Sequence, residues 1–305
     1  PIGNIYYGTC GWTDRTLIRS GGFYPPSVRS SEGGLRHSAS EFPLVEVDAT
    51  FYSPPSEENV RLWAERAPPG FIFDIKAFRL LTHHAIDVRR LPEAVRGRLT
   101  NATLDNRRLY LRGAPDEIVD RVWALHIDAL RPLADADKLG CVLFQFPHWF
   151  TKTRANVEYL REIRDRLPWR IAVEFRGGGW MEGDRQRRTL ALLEQLDLAY
   201  VSVDEPQGFK SSTPPVVART APVAVIRLHG HNAETWEKPN VTASERFRYL
   251  YSEDELRRWV GPVRELAGRA EQVHVLLNNC YRDYAVRNAK QFAALLAQPS
   301  DGTAE

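Results

Sequence analysis

Eight short apolar runs recur along the chain, separated by longer amphipathic stretches. The runs are Ile5–Gly8, Leu44–Val47, Phe71–Ile75, Cys141–Phe146, Ile171–Phe175, Ala199–Val203, Val223–Leu228 and Val273–Leu277. Between them, helix-like patterns cover Glu57–Arg66, Asp116–Asp135, Arg154–Arg166, Asp184–Leu196, Glu253–Ala270 and Asp283–Leu296. Near-continuous apolar runs alternating with helices define a parallel sheet buried on both faces. Eight such strands in one chain predict closure into a (β/α)8 TIM-type barrel rather than an open sheet. No glycine-rich phosphate loop follows the first run, which weakens a dinucleotide-binding open sheet further.

At 305 residues the chain suits a single barrel domain with an insertion, since such barrels run to about 250 residues before additions. The reading is one domain over 1–297, an insertion at about 85–114 between the third and fourth strands, and a flexible tail at 298–305. No run approaches the ~20 apolar residues of a membrane span, and Pro1–Tyr7 lacks a basic-then-apolar leader. Three widely spaced cysteines (Cys10, Cys141, Cys280) form no metal-finger or CxxC pattern, which fits a reducing cytoplasm. A net charge of +2 excludes a general basic coat for nucleic acid and leaves a local patch open.

The polar residues concentrate where the apolar runs end, and they fall two apart, so that each pair shares a strand face. Glu46 and Asp48 form one pair; Asp74 with Lys76, Glu174 with Arg176, Ser202 with Asp204, and Arg227 with His229 form the others. Thr9 follows the first run, Gln145 ends the fourth, and Asn278 and Asn279 end the eighth. In a barrel these ends meet at one mouth, where barrel enzymes hold their active sites. Buried charges converging there must pair internally or serve a ligand.

The order of motifs resembles a known family. Gly8-Thr9-Cys10-Gly11-Trp12 and Phe23-Tyr24-Pro25 are followed by Val45-Glu46-Val47-Asp48-Ala49-Thr50-Phe51-Tyr52, by the Lys76 strand, and by Thr82-His83. Phe144-Gln145-Phe146-Pro147, Glu174-Phe175-Arg176, Arg227-Leu228-His229-Gly230, Asn278-Asn279 and Asn288-Ala289 continue the series. This is similar to the YecE-like family, the domain of unknown function DUF72. The resemblance implies a TIM-type barrel and carries no assigned reaction. The chain departs from the family pattern in several places. Cys10 stands for a serine, Asp14 and Leu17 stand where aromatics are frequent, and Asp48-Ala49 replaces Asn-Ser. Gly177-Gly178-Gly179 precedes Trp180 where His-Pro is usual, and His231 stands for an arginine.

Glu46, Lys76, Glu174 and Asp204 are the candidate catalytic residues. The carboxylates would move protons, with affinities raised by burial or lowered by the arginines. Acidic neighbours would keep Lys76 charged, which suits an anion anchor better than a nucleophile. Arg176, Arg227 and His229 would join it around a phosphate or carboxylate. Thr9, Gln145, Asn278 and Asn279 would orient the ligand. Aromatics follow the strands, among them Trp12, Phe51, Tyr52, Trp149, Phe150, Trp180 and Tyr281, and could stack a flat ring. Trp236, in the polar loop 231–245, is the first of these to test.

The leading expectation is therefore an enzyme performing acid–base chemistry on a small anionic substrate, phosphorylated or nucleotide-derived, with no cofactor. A divalent metal held by His229, Glu174, Asp204, Glu46 and His83 is a lesser alternative, since barrel ligands come from separate strands. A second alternative is phosphodiester cleavage on nucleic acid, for which Arg89, Arg90, Arg96, Arg98, Arg107, Arg108 and Arg112 of the insertion supply a basic rim. A third is a non-catalytic binding or adaptor protein using the same mouth.

Overall fold

A computed structural model describes residues 1–99 and 107–299. Eight strands close into an all-parallel barrel. In chain order they are β1 (Ile5–Cys10), β2 (Leu44–Val47), β3 (Ile72–Lys76), β4 (Leu139–Gln145), β5 (Ile171–Glu174), β6 (Leu198–Asp204), β7 (Val223–Leu228) and β8 (Gln272–Leu277). Each pairs with its sequence neighbour, and β8 closes on β1 with Ile5 opposite Val273. All eight apolar runs are strands, displaced by at most two residues at either end. Every neighbouring strand runs parallel, so each connection crosses over outside the barrel, and helices occupy those crossovers except the one from β6 to β7, which is an irregular loop.

Helices at Glu57–Arg66, Asp116–Asp135 and Arg154–Arg166 match the sequence pattern to the residue. The later ones are Asp184–Gln195, Glu253–Ala267 and Tyr284–Ala297. The pattern did not reveal Arg15–Ser20 and Ser31–Glu41. The second contains Gly33 and Gly34 and buries little more than Leu35 and Ala39, so its apolar stripe is too thin to register. It begins on a side-chain cap, Ser30 accepting from the Gly33 amide, a start signal worth about 1 kcal/mol.

The segment between β3 and β4 holds an antiparallel ribbon, Ile86–Asp87 against Arg108–Leu109, and a short helix at Glu93–Arg96. Residues 100–106 of the expected insertion, and 300–305 of the expected tail, lie outside the described residues. Among those described, no helix is long and apolar enough to cross a membrane.

Burial sorts the strand residues into faces. Cys10, Leu44, Leu143, Ala172, Val201, Val203, Val225 and Leu276 form one cluster, the barrel interior. The alternate residues pack outward against helices in two larger clusters. This parity decides which strand-end residue faces the mouth.

Candidate functional site

Arg227 on β7 lies at the centre of the mouth, fully buried. Its Nε and Nη2 donate to Glu46 on β2 at 2.8 and 2.6 Å. Its Nη1 donates to Glu174 on β5 at 2.5 Å. Arg176, two residues beyond Glu174, reaches Glu174 Oε1 at 2.8 Å and also bonds Glu205. The Glu205 carboxylate accepts the Thr213 amide at 2.7 Å. His229 completes the group, with Nε2 3.1 Å from Arg176 Nη2 and Nδ1 2.7 Å from the Asn278 amide. Two glycines in the left-handed region end these strands. Gly177 follows Arg176 at φ +85°, and Gly230 follows His229 at φ +85°. At Gly230 any Cβ would stand 2.5 Å from the Tyr249 side chain, so the turn that aims His229 requires glycine.

The two glutamates on Arg227 have opposite proton affinities. Burial pushes Glu46 up to about 8, and Arg227 only partly offsets it. Glu174 meets the same burial, but Arg227 and Arg176 together hold it well below the usual carboxylate range. Burial also raises Glu205 to about 7 against the pull of Arg176. His229 is lowered to about 3 by burial, with Arg176 adding to the effect, so it stays neutral and supplies no charge to an anion.

A cavity of about 570 Å³ opens above this cluster. Trp12, Lys76, Gln145 and Asn278 line it, together with Asp48, Cys10, Cys280, Tyr52 and Trp63. The ion cluster stands behind its wall and touches it through Glu46, which lies beside Asp48 and Cys10, and through Arg227 and His229. Arg227 Nη2 lies 3.9 Å from Cys10 Sγ, and His229 bonds Asn278. Lys76 Nζ donates to Asp48 at 3.1 Å and sits 5.2 Å from the Phe51 ring centre. Burial lowers the Lys76 proton affinity, but Asp48 chiefly outweighs it and leaves the ammonium raised. Asp48 is drawn below its ordinary value by Lys76 against the opposing effect of burial. Trp12 is pinned, its Nε1 donating to the Ser31 carbonyl at 3.1 Å and its ring edge-on to Trp63 at 5.7 Å.

Four expected site residues face elsewhere. Asp204 has the outward parity of β6, and its carboxylate takes the Tyr251 hydroxyl at 2.6 Å and His231 at 2.9 Å. The mouth carboxylate from β6 is Glu205, which continues the interior face of Val201 and Val203. Thr9 likewise alternates with the interior Cys10 and only reaches the Gly11 carbonyl at 3.4 Å. Asn279 is turned from the mouth to the Tyr249 carbonyl and Asn288, at 2.9 and 2.8 Å. Trp236 is buried, with the Arg176 guanidinium 5.2 Å from its ring centre and Phe247 edge-on to it, so it roofs the cluster instead of offering a free face. Sequence reasoning missed Glu205 as a site residue and passed over Asp48. Parity from Val203 would have found the first; the second was placed at the mouth by its spacing from Glu46 but given no role.

Of the suggested metal ligands, Glu46, Glu174 and His229 meet around Arg227 and Arg176, and His83 and Asp204 stand apart. The His83 ring packs on Phe150 at 5.0 Å and Tyr159 at 4.5 Å, and Asp204 belongs to the His231 side. Among the described residues two donor groups have atoms within 4.8 Å of one another: Cys10–Glu46–Asp48 at the mouth and Asp74–Cys141–His274 in the barrel interior. In the first, Arg227 and Lys76 already neutralise the carboxylates. In the second, Asp74 takes His274 Nδ1 at 2.9 Å and the Cys141 amide at 2.9 Å.

A closed eight-stranded parallel barrel with a buried arginine–carboxylate cluster and a cavity at its strand ends defines the class of protein. Within that class the chain belongs to the DUF72 family, described as "Protein of unknown function DUF72", which matches residues 6–305. The UPF0759 protein YunF of Bacillus subtilis (strain 168) is 31% identical over 297 residues, covering 96% of this chain and 94% of that one. A crystal structure of a DUF72 family protein from Enterococcus faecalis V583 aligns with a TM-score of 0.76 and 25% identity, over 97% of each chain. Another from Thermotoga maritima MSB8 aligns with a TM-score of 0.74 and 29% identity, over 96% of this chain and 99% of that one.

Proposed function

We propose that the mouth is the active site of an enzyme that moves a proton on a small, ring-bearing anionic compound. One observation carries this reading. Glu46 and Asp48 lie within 4.8 Å of each other and are driven apart in proton affinity, Glu46 up to about 8 and Asp48 below its ordinary value. A carboxyl pair split in this way supplies an acid and a base at one pH. Asp48 lines the cavity beside Lys76, whose retained charge suits a phosphate or carboxylate. Trp12, Tyr52 and Trp63 provide the wall for a flat ring, and Gln145 and Asn278 provide neutral polar contacts. Arg227, Arg176 and Glu174 hold the frame, since their charges already satisfy one another. Glu174 and Asp204 leave the proton-transfer role to Glu46 and Asp48.

Thermal unfolding in the presence of nucleoside monophosphates and sugar phosphates tests the reading. A true ligand at a hundred times its Kd stabilises by about 2.7 kcal/mol. Lys76→Ala should abolish that stabilisation. Glu46→Gln should keep it and lose turnover. A ligand that protects Lys76→Ala as well as the parent chain would show that the anion is held elsewhere.

A further inference from the structure

Two groups of arginines between β3 and β4 differ in their partners. Arg89, Arg96 and Arg98 pair with Asp87, Glu93 and Glu117. Arg90 and Arg108, with Arg79 just beyond β3, pair with no carboxylate among the described residues. Arg79 also keeps its Nε buried without a hydrogen-bond partner. Arg108 faces Asp87 across the ribbon, three residues before Arg90, and after burial, against the opposing effect of Tyr52, both arginines lower the proton affinity of Arg79. Asp87, whose charge Arg90 feels, is already bonded to Arg89, so among the described residues these three cations keep a net mutual repulsion. An anion with several charges reverses the sign of the interaction.

Flat rings run beside these cations. Tyr52 and Trp149 are 54% and 55% exposed, among the most exposed large apolar side chains described. Phe51 and His84 join them edge-to-face, with centroids 5.2 Å apart for Tyr52–Phe51 and Phe51–His84 and 5.7 Å for His84–Trp149. Arg79 and Lys76 both lie over the Phe51 ring, at 5.3 and 5.2 Å. Tyr52 also lines the mouth cavity, so the strip of rings and cations leads into it.

We propose that this strip binds single-stranded nucleic acid, with Arg79, Arg90 and Arg108 on backbone phosphates and Tyr52 and Trp149 stacking bases. Alternating cations and exposed rings are how proteins track a single strand without reading its sequence. Paired bases in a duplex hide their faces from these rings, and an acidic peptide lacks rings to stack. The inference deepens the reading of the mouth and rests on it only for the strand's last nucleotide, which would enter the cavity beside Lys76.

Fluorescence anisotropy on the full chain tests it, with labelled oligothymidylate, the matching duplex and polyglutamate of equal charge. The single strand should bind tightest, with a log–log salt slope of about −2 for three phosphates. Arg90→Ala with Arg108→Ala should weaken binding about tenfold or more and reduce the slope by about 1.4. Trp149→Ala should weaken it about tenfold at an unchanged slope. Arg96→Ala, whose partner is Glu93, should leave it as it was. Lys76→Ala should retain strand binding even though it loses protection by nucleoside monophosphates, so the two readings fail separately. The proposal is overturned if the double variant binds like the parent, or if duplex or polyglutamate binds as tightly as the strand.

Discussion

The floor of the mouth and the cavity above it use the same residue types to opposite ends. In the floor, Arg227 and Arg176 are enclosed by Glu46, Glu174 and Glu205, with Trp236 as a roof. In the cavity, Lys76 and Asp48 face open space, while the other charged lining residues, Asp14 and Arg66, are held by a helix N-terminus and by Glu32. The floor is a closed electrostatic unit whose charges answer each other. The cavity has a cation and a carboxylate that a ligand can reach. Burial without an alternative partner makes the first rigid, and exposure leaves the second available for exchange.

The largest effect should come from removing the centre of the floor. Arg227→Met leaves the buried Glu46 without its cation and Glu174 with Arg176 alone. Breaking a buried pair in this way costs about 3–5 kcal/mol, measurable as a fall in the urea midpoint. A loss below about 1 kcal/mol would mean that the floor is hydrated and that its contrast with the cavity is false.

A subtler break separates the two glutamates on that arginine. Glu46 is raised, so its protonated form is the one the fold prefers. Its stabilising contribution is complete below an unfolded value near 4.5 and is lost as pH rises through about 8. Glu205 acts in the same direction up to about 7. His83, His84, His126 and His229 are lowered to about 4, 3, 4 and 3. They remove stability as pH falls from about 6.5 towards those values. Between pH 7 and 8 Glu46 therefore dominates this set, and stability should fall by up to about 1.4 kcal/mol per pH unit. Glu46→Gln mimics the neutral acid and should flatten that limb at little cost near pH 7. Glu174→Gln removes a held anion from between two arginines and should destabilise by several times as much. Equal costs for the two variants at pH 7 would contradict the split.

The strands were legible because each is buried on both faces and bounded by polar residues. The mouth was legible only in outline. On β2, β5 and β7 the charged residue itself marks the interior face, as Glu46, Glu174 and Arg227 do. On β1, β6 and β8 polar residues occupy both parities at the strand end, so Thr9 could not be told from Cys10, Asp204 from Glu205, or Asn279 from Asn278. The pattern of small and apolar residues behind them, Tyr6–Gly8–Cys10 or Val201–Val203–Glu205, holds the answer. Which cations would remain free was also beyond the sequence, because Arg176 and Arg227 meet carboxylates from strands distant along the chain.

The smallest expected change joins the two regions. Asp48→Asn restores the residue type usual at this position in the family pattern and removes the carboxylate from the open cavity. Asp48 is only half-buried and its bond to Lys76 faces the cavity, so the stability change should stay within about 1 kcal/mol. Two consequences reach further than stability. Lys76 loses its internal partner, so an anionic ligand that depends on Lys76 should bind more tightly. Asp48 is also one of the charges that raise Glu46, so its removal should lower the Glu46 proton affinity and move the end of the alkaline decline to lower pH. A pH titration of thermal stability reads the second effect, and ligand-induced stabilisation reads the first. If the decline does not move, floor and cavity are electrically independent, and the acid–base pair proposed for Glu46 and Asp48 fails with it.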